Sequence, residues 1–205
     1  VIAFSSYAVA QTASYTPAYR EPYREVMEAL IRKMLYYASW KDWLESWGDN
    51  PLGPDNIMYT GHLVYMMTLH RQLFNDQTFE QNVTLVNPEG PEFTTDVQSL
   101  AASIAQQVED YVDASDAHTY GLACEPGRIF VPCNLPHSVG QMTFDRIYGT
   151  TYTSTNDLWL DWLKEHMVHA EHGVLYDLYY PFGPGQSVAG ESSPSRKEGV
   201  SGLYN

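Results

Sequence analysis

The chain has 205 residues and a formal net charge of −14 at pH 7, with 11 Lys and Arg that never cluster beyond the pair Arg196-Lys197. That balance excludes a nucleic-acid or anionic-membrane surface and leaves neutral, apolar or cationic partners. The length suits one sizeable core, so a single domain over residues 1–205 is expected, and the apolar stretches fall well short of the roughly 18 to 20 residues that span a bilayer.

The elements follow in chain order. VIAFSSYAVA reads as the middle of an amphipathic helix with no cap before it. It is too polar for a signal-peptide core and lacks a basic leader, so the chain is expected to be part of a longer protein. GVSGLYN at the other end stops as an apolar run begins. Between Glu21 and Trp47, Val26, Leu30, Met34, Tyr37 and Trp40 recur at helical spacing, with Pro22 in the first turn and Gly48 after the last Trp; the pattern predicts a long helix with a break near Ser39. A second helix is predicted from Ile57 to Phe74, with Met58, His62, Tyr65, Met66 and Leu69 on one stripe.

TLVNPEGPEF predicts a short extended stretch, and Thr94 or Thr95 can cap a helix over Asp96 to Val112. ASDAHTYGLACEPGRIFVPC then reads as irregular chain with short extended pieces. Helices are predicted from about Leu135 to Tyr148 and from about Thr155 to Glu171, the latter opened by STND. VLYDLYYPF alternates like a strand, and GPGQSVAGESSPSRKEG is a polar loop. The fold class is all-α with a few short strands. Helices in pairs, with long loops at alternate junctions, fit an αα-hairpin toroid better than a four-helix bundle, whose connections are short. No fixed-period repeat is present, which argues against a regular solenoid.

The 16 Tyr, 7 Met and 5 Trp supply polarizable, amphipathic walls for a cavity that would take an apolar ligand carrying one or two oxygens. Cys124 and Cys133 are the only two cysteines. They flank a Pro/Gly-rich stretch and admit three readings: a disulfide closing a small loop, two inert thiols, or reactive thiols. His62 follows Gly61 and lies one turn beyond Met58; it is either a core histidine bonded to a carbonyl or a pocket residue. His166, His169 and His172 in HMVHAEH do not converge on one helix face, so no metal site is expected and a solvated helix end is preferred. Asn82-Val83-Thr84 is a glycosylation sequon that matters only in a secreted protein. The absence of GxSxG, P-loop, GxGxxG and aspartate-rich diphosphate motifs leaves serine-hydrolase, nucleotide and prenyl-diphosphate chemistry unsupported. The compartment stays open between cytoplasmic and periplasmic or secreted.

AYREPYREVMEALIRKML, the W-x-x-W-x-x-x-W stretch of Trp40, Trp43 and Trp47, DNIMYTGHL and CEPGRIFVPCN together resemble the linalool dehydratase/isomerase family over most of the chain. The most specific elements are Met-x-x-x-His (Met58, His62) and Cys-x8-Cys (Cys124, Cys133). The resemblance implies an (α/α)6 barrel, of which this chain would be an incomplete portion, with a deep apolar cavity for a small terpene alcohol and no metal or organic cofactor. It makes Cys124, Cys133 and His62 the acid/base candidates and Met58 a substrate-binding residue; Tyr65, Asp55 and Glu125, near them in sequence, are further substrate-binding candidates. It also implies a homo-oligomer in which an Asp and a Tyr near the family's N-terminus reach a neighbouring subunit's pocket, and the chain is expected to begin after them. The interval from His62 to Cys124 suggests an insertion around NVTLVNPEGPEF, and a larger polycyclic terpenoid or polyketide would also suit such a frame.

Dehydrating a tertiary alcohol requires an acid for the departing hydroxyl, a base for a proton on the neighbouring carbon, and a dry cavity that keeps water from the developing cation. Thiols and imidazole can carry the protons, while Met and aromatic walls tolerate positive charge. Two rival readings remain. One is a carbohydrate-active hydrolase or epimerase on the same toroid using carboxylates such as Glu125, Asp157 or Asp177. The other is a non-catalytic assembly protein in which Cys124 and Cys133 are bonded to each other.

Overall fold

The architecture was taken from a computed structural model, which describes residues 1–115, 121–171, 173–179 and 197–198. Among these, the chain runs as α1 (Ile2–Tyr15), α2 (Arg20–Met34), α3 (Leu44–Trp47), α4 (Ile57–Phe74), β1 (Val83–Leu85), β2 (Phe93–Thr95), α5 (Val97–Ser115), β3 (Ile129–Phe130), α6 (Val131–Tyr148), α7 (Ser154–His166), β4 (Leu178–Tyr179) and β5 (Lys197–Glu198), with short 3₁₀ turns between α2 and α4. Helices dominate, as expected. They pack chiefly in pairs, α1 on α2 and α4 on α6, with further contacts of α1, α2 and α5 on α4. The strands form two small antiparallel sheets, β1-β2 and β3-β4-β5, with Thr84 opposite Thr94 in the first and Ile129 opposite Tyr179 in the second.

The single long helix expected from Glu21 to Trp47 is instead α2, two 3₁₀ turns and the short α3. The break comes earlier than Ser39 because the last carbonyls of α2 are claimed from elsewhere. Tyr59 Oη donates to Met34 O at 2.8 Å, and the fully buried Trp40 donates its indole N–H to Leu35 O at 3.2 Å. With its terminal acceptors satisfied, the backbone turns extended at Tyr36. The buried face of α2 is Met27, Ile31 and Met34, whereas Val26 of the expected stripe lies open to solvent.

Helix α4 has the predicted bounds, yet it is buried around most of its circumference: Tyr59, Leu63, Val64, Met66 and Met67 all lie in the main core. Of the expected stripe, Met58, His62, Tyr65 and Leu69 form its half-buried side and only Met66 is fully enclosed. Helix α6 crosses α4 closely because each supplies a glycine at the contact. A Cβ on Gly61 would lie 3.1 Å from His137 Cβ, and one on Gly140 would lie 3.1 Å from Tyr65 Cα.

Asp96, not Thr94 or Thr95, opens α5: its carboxylate accepts the backbone N–H of Gln98 and of Ser99 at 2.7 and 2.9 Å. Helix α6 begins at Val131, four residues before the expected Leu135, since Pro132 fits the first turn, where its missing N–H costs nothing. Cys133 is therefore helical rather than in a loop. Helix α7 ends at His166, short of Glu171; Met167 N–H still bonds Leu163 O, but His169 N–H turns to Val174 O around Gly173, whose φ is +65°. Of the strand expected in VLYDLYYPF, Leu178–Tyr179 is paired as β4 and Leu175 forms a single bridge with Val168, while Tyr180 to Phe182 lie outside the described residues. The polar loop GPGQSVAGESSPSRKEG lies outside them too, apart from Lys197–Glu198. A second, smaller core gathers Ile129, Val131, Trp159, Trp162, Leu163 and Tyr179 around β3, β4 and α7.

Candidate active site

The two cysteines meet because three local features fold their segment back on itself. Residues 122–124 run beside the start of α4, where Ile57 N–H donates to Ala123 O at 3.2 Å. A tight turn follows, with Cys124 N–H to Arg128 O at 3.0 Å, Arg128 N–H to Glu125 O at 2.9 Å and Gly127 at φ +70°; that φ is open to glycine without strain. Asn134 on α6 then fastens the near side. Its Oδ1 accepts Leu122 N–H at 2.8 Å, and its Nδ2 donates to Leu122 O and Phe130 O, both at 2.9 Å. Asn134 is fully buried and makes the bonds of a missing strand partner.

As a result the sulfurs of Cys124 and Cys133 stand 3.2 Å apart, both as free thiols joined by a hydrogen bond. Cys124 is buried and Cys133 half-buried, and both pack on the main core. Their acidities diverge. The bond to Cys133 and the backbone N–H of Met58, in the first turn of α4, draw Cys124 below the ordinary thiol range against the effect of burial. Cys133, left with the proton, is pushed far above that range by the same bond and by burial. Cys124 therefore ionises before Cys133, and Cys133 keeps the proton between them while its neighbour is a thiolate.

His62 lies one turn of α4 beyond Met58, about 6 Å along the axis. Its Nδ1 is 2.6 Å from the hydroxyl of Tyr7 on α1. Phe4 meets the ring edge-on at 5.6 Å, and Tyr7 in turn packs at 4.7 Å on Tyr65. Burial in this aromatic surround lowers the imidazole to about 4, so it is neutral near pH 7.

The expected set therefore falls into three neighbourhoods. Cys124, Cys133, Met58 and Glu125 gather at the N-terminal end of α4. His62 and Tyr65 share the face covered by α1, where Tyr65 and Tyr7 line a groove of about 400 Å³ with Leu69 and Leu73. Asp55 lies apart, in the loop before α4, at a φ of +65° that Asp tolerates better than most residues. It lines a different cavity, of about 620 Å³, with Leu122, Ala123 and Gln107 of α5, and burial raises its carboxyl. Glu125 is engaged by Arg128 at 2.7 Å near the surface. Of the carboxylates weighed with it, Asp157 is exposed on α7 and Asp177 is half-buried just before β4.

His166 packs at a tilt on Trp162 at the end of α7 and His169 lies against Tyr176 from the following turn, while His172 lies outside the described residues. Three contributors escaped the sequence reading: Tyr7, Asn134 and His137. Tyr7 is 55 residues from its partner. His137 is buried between Asn134 Oδ1 at 3.1 Å and Gln141 Oε1 at 3.4 Å; no spacing rule marks any of the three.

The model of a family described as linalool dehydratase/isomerase matches residues 1–183. The match covers the paired thiols, the His62 ring and every other residue of the site described above, so the resemblance carried by DNIMYTGHL and CEPGRIFVPCN holds. The chain belongs to the linalool dehydratase/isomerase family.

Proposed function

We propose that the protein is a cofactor-independent dehydratase and isomerase of a terpene alcohol or a related apolar alcohol, with Cys124, Cys133 and His62 as its proton carriers. The observation that carries this reading is the thiol pair at 3.2 Å against the first turn of α4, the helix that carries His62 on its next turn. In the proposed cycle, Cys133 gives its proton to the substrate hydroxyl while His62 hydrogen-bonds the same oxygen, and water departs as the carbon–oxygen bond breaks. Cys124, as thiolate, takes a proton from the neighbouring carbon, whose electrons close the double bond. One proton has then left Cys133 and one has reached Cys124, and transfer between the sulfurs restores the pair. Return of water at the other end of an allylic cation would give the isomer instead.

Met58 is assigned to the substrate as a polarizable wall, with Tyr65, Asp55 and Glu125 as further binding residues. The paired helices are assigned to one domain, part of an (α/α)6 barrel, in a homo-oligomer whose neighbouring subunit completes the cavity. A dry site of that kind would hold the cation away from water.

The test is turnover of linalool and longer terpene alcohols by the full-length protein, read by gas chromatography of alkene and isomeric alcohol. Cys124→Ala, Cys133→Ala and His62→Ala are each expected to lower turnover at least ~100-fold. Wild-type turnover should rise with pH as Cys124 ionises. Undiminished turnover in both Cys124→Ala and His62→Ala would end the assignment, and a denaturing thiol count below two would exclude a free pair.

A further inference from the structure

We propose that Tyr7 is a positioning residue for His62: its hydroxyl selects the imidazole tautomer that carries the proton on Nε2. For what the ring then does, the inference rests on the dehydratase/isomerase reading above.

The 2.6 Å contact between Tyr7 Oη and His62 Nδ1 can be made in two ways, with the proton starting on oxygen or on nitrogen. A phenol oxygen is a poor acceptor, since its lone pair is delocalised into the ring, whereas the bare imidazole nitrogen is a strong one. The O–H therefore donates, Nδ1 accepts, and the single proton of the neutral ring is left on Nε2. Burial keeps the Tyr7 hydroxyl protonated far beyond the ordinary tyrosine range, so the donor persists at any working pH. The ring is also held in place: Phe4 meets it edge-on, Tyr7 lies at 5.8 Å tilted by 34°, and Tyr65 backs Tyr7 at 4.7 Å.

Phe4 and Tyr7 sit one turn apart on α1, so a single helix supplies both the orienting bond and the wall. Nε2 has no hydrogen-bond partner among the described residues, which leaves its N–H for a ligand. The bond also disfavours the imidazolium, because a proton on Nδ1 would have to displace the tyrosine donor.

The experiment uses Tyr7→Phe, which removes the hydroxyl and keeps the ring, in the full-length protein. Long-range ¹H–¹⁵N spectra of ¹⁵N-histidine-labelled wild type are expected to show His62 as the Nε2–H form alone. In Tyr7→Phe the two ring nitrogens should move toward averaged shifts, kcat should fall roughly tenfold with KM little changed, and the His62 ring, followed in the same spectra, should take up its second proton at higher pH. Unfolding midpoints of the two proteins, compared in parallel, separate these effects from loss of fold. A wild-type ring protonated on Nδ1, or ring spectra and ring titration unaltered in Tyr7→Phe while His62→Ala is inactive, would overturn the proposal and leave the catalytic reading intact. Turnover preserved in His62→Ala would overturn the catalytic reading instead.

Discussion

Asn134 joins the two cysteine segments through three side-chain bonds, two of them to the backbone of Leu122, two residues before Cys124. Asn134→Ala would leave the N–H and C=O of Leu122 buried without partners, at a cost of about 2 to 3 kcal/mol. It should also let the sulfurs part. The expected outcome is a lower urea midpoint together with faster reaction of both thiols with a disulfide reagent; an unchanged reaction rate would mean that the turn at Gly127 holds the pair unaided. At this scale the sequence was only partly informative. The spacing of Cys124 and Cys133 left disulfide, inert thiol and reactive thiol equally open, because nine intervening steps of chain say nothing of where a neighbouring helix begins. The pairing came from Met58 N–H and Asn134, neither of which sequence proximity connects to a sulfur. Tyr7 was invisible for the same reason, since its link to His62 exists only once α1 lies on α4.

Elements were more legible than their environments. The periodicity from Ile57 to Phe74 predicts α4 with its observed bounds, because each turn there is favourable locally and no competing acceptor interrupts it. Periodicity failed where side chains took the backbone carbonyls at the end of α2, as Tyr59 and Trp40 do, and it placed Val26 and Leu30 on the buried stripe where Met27 and Ile31 stand. It also misjudged α4, whose stripe proved to be the half-buried side of a helix enclosed nearly all round. The crossing of α4 and α6 gives the sharpest prediction at this scale. A methyl group at Gly61 would meet His137 Cβ at 3.1 Å and His137 N at 3.2 Å, and the backbone atom cannot swing aside. Gly61→Ala, although it favours the helix by up to ~1 kcal/mol on propensity, is expected to destabilise the protein by about 1 to 3 kcal/mol through overpacking. A thermal midpoint at or above wild type would show that the two helices separate freely.

Over the whole molecule, burial of neutral histidine links stability to pH. His137 is held to about 4 by complete burial, against 6.5 in an unstructured chain, and His62 is shifted in the same direction. Above pH 6.5 neither state binds this proton and stability is at its full value. As the pH falls toward 4 the unfolded chain takes the proton first, so stability declines by about 1 kcal/mol per pH unit for His137, and its contribution levels off below 4. Chemical denaturation of wild type and His137→Gln across that window should differ by this slope; parallel curves would show that His137 is protonated in place. What the sequence determined by itself was the helical class, the bounds of α4 and membership of a family, since helical period, turn residues and short motifs are local properties of the chain. Only the tertiary structure decided which side chains meet: the thiols across a turn, the Tyr7 hydroxyl on His62, and the separation of Asp55 into another cavity. The Tyr7–His62 contact joins residues 55 apart, and the thiols, though nine apart, are brought together by Asn134 and the start of α4; both depend on how elements pack, which no local pattern encodes.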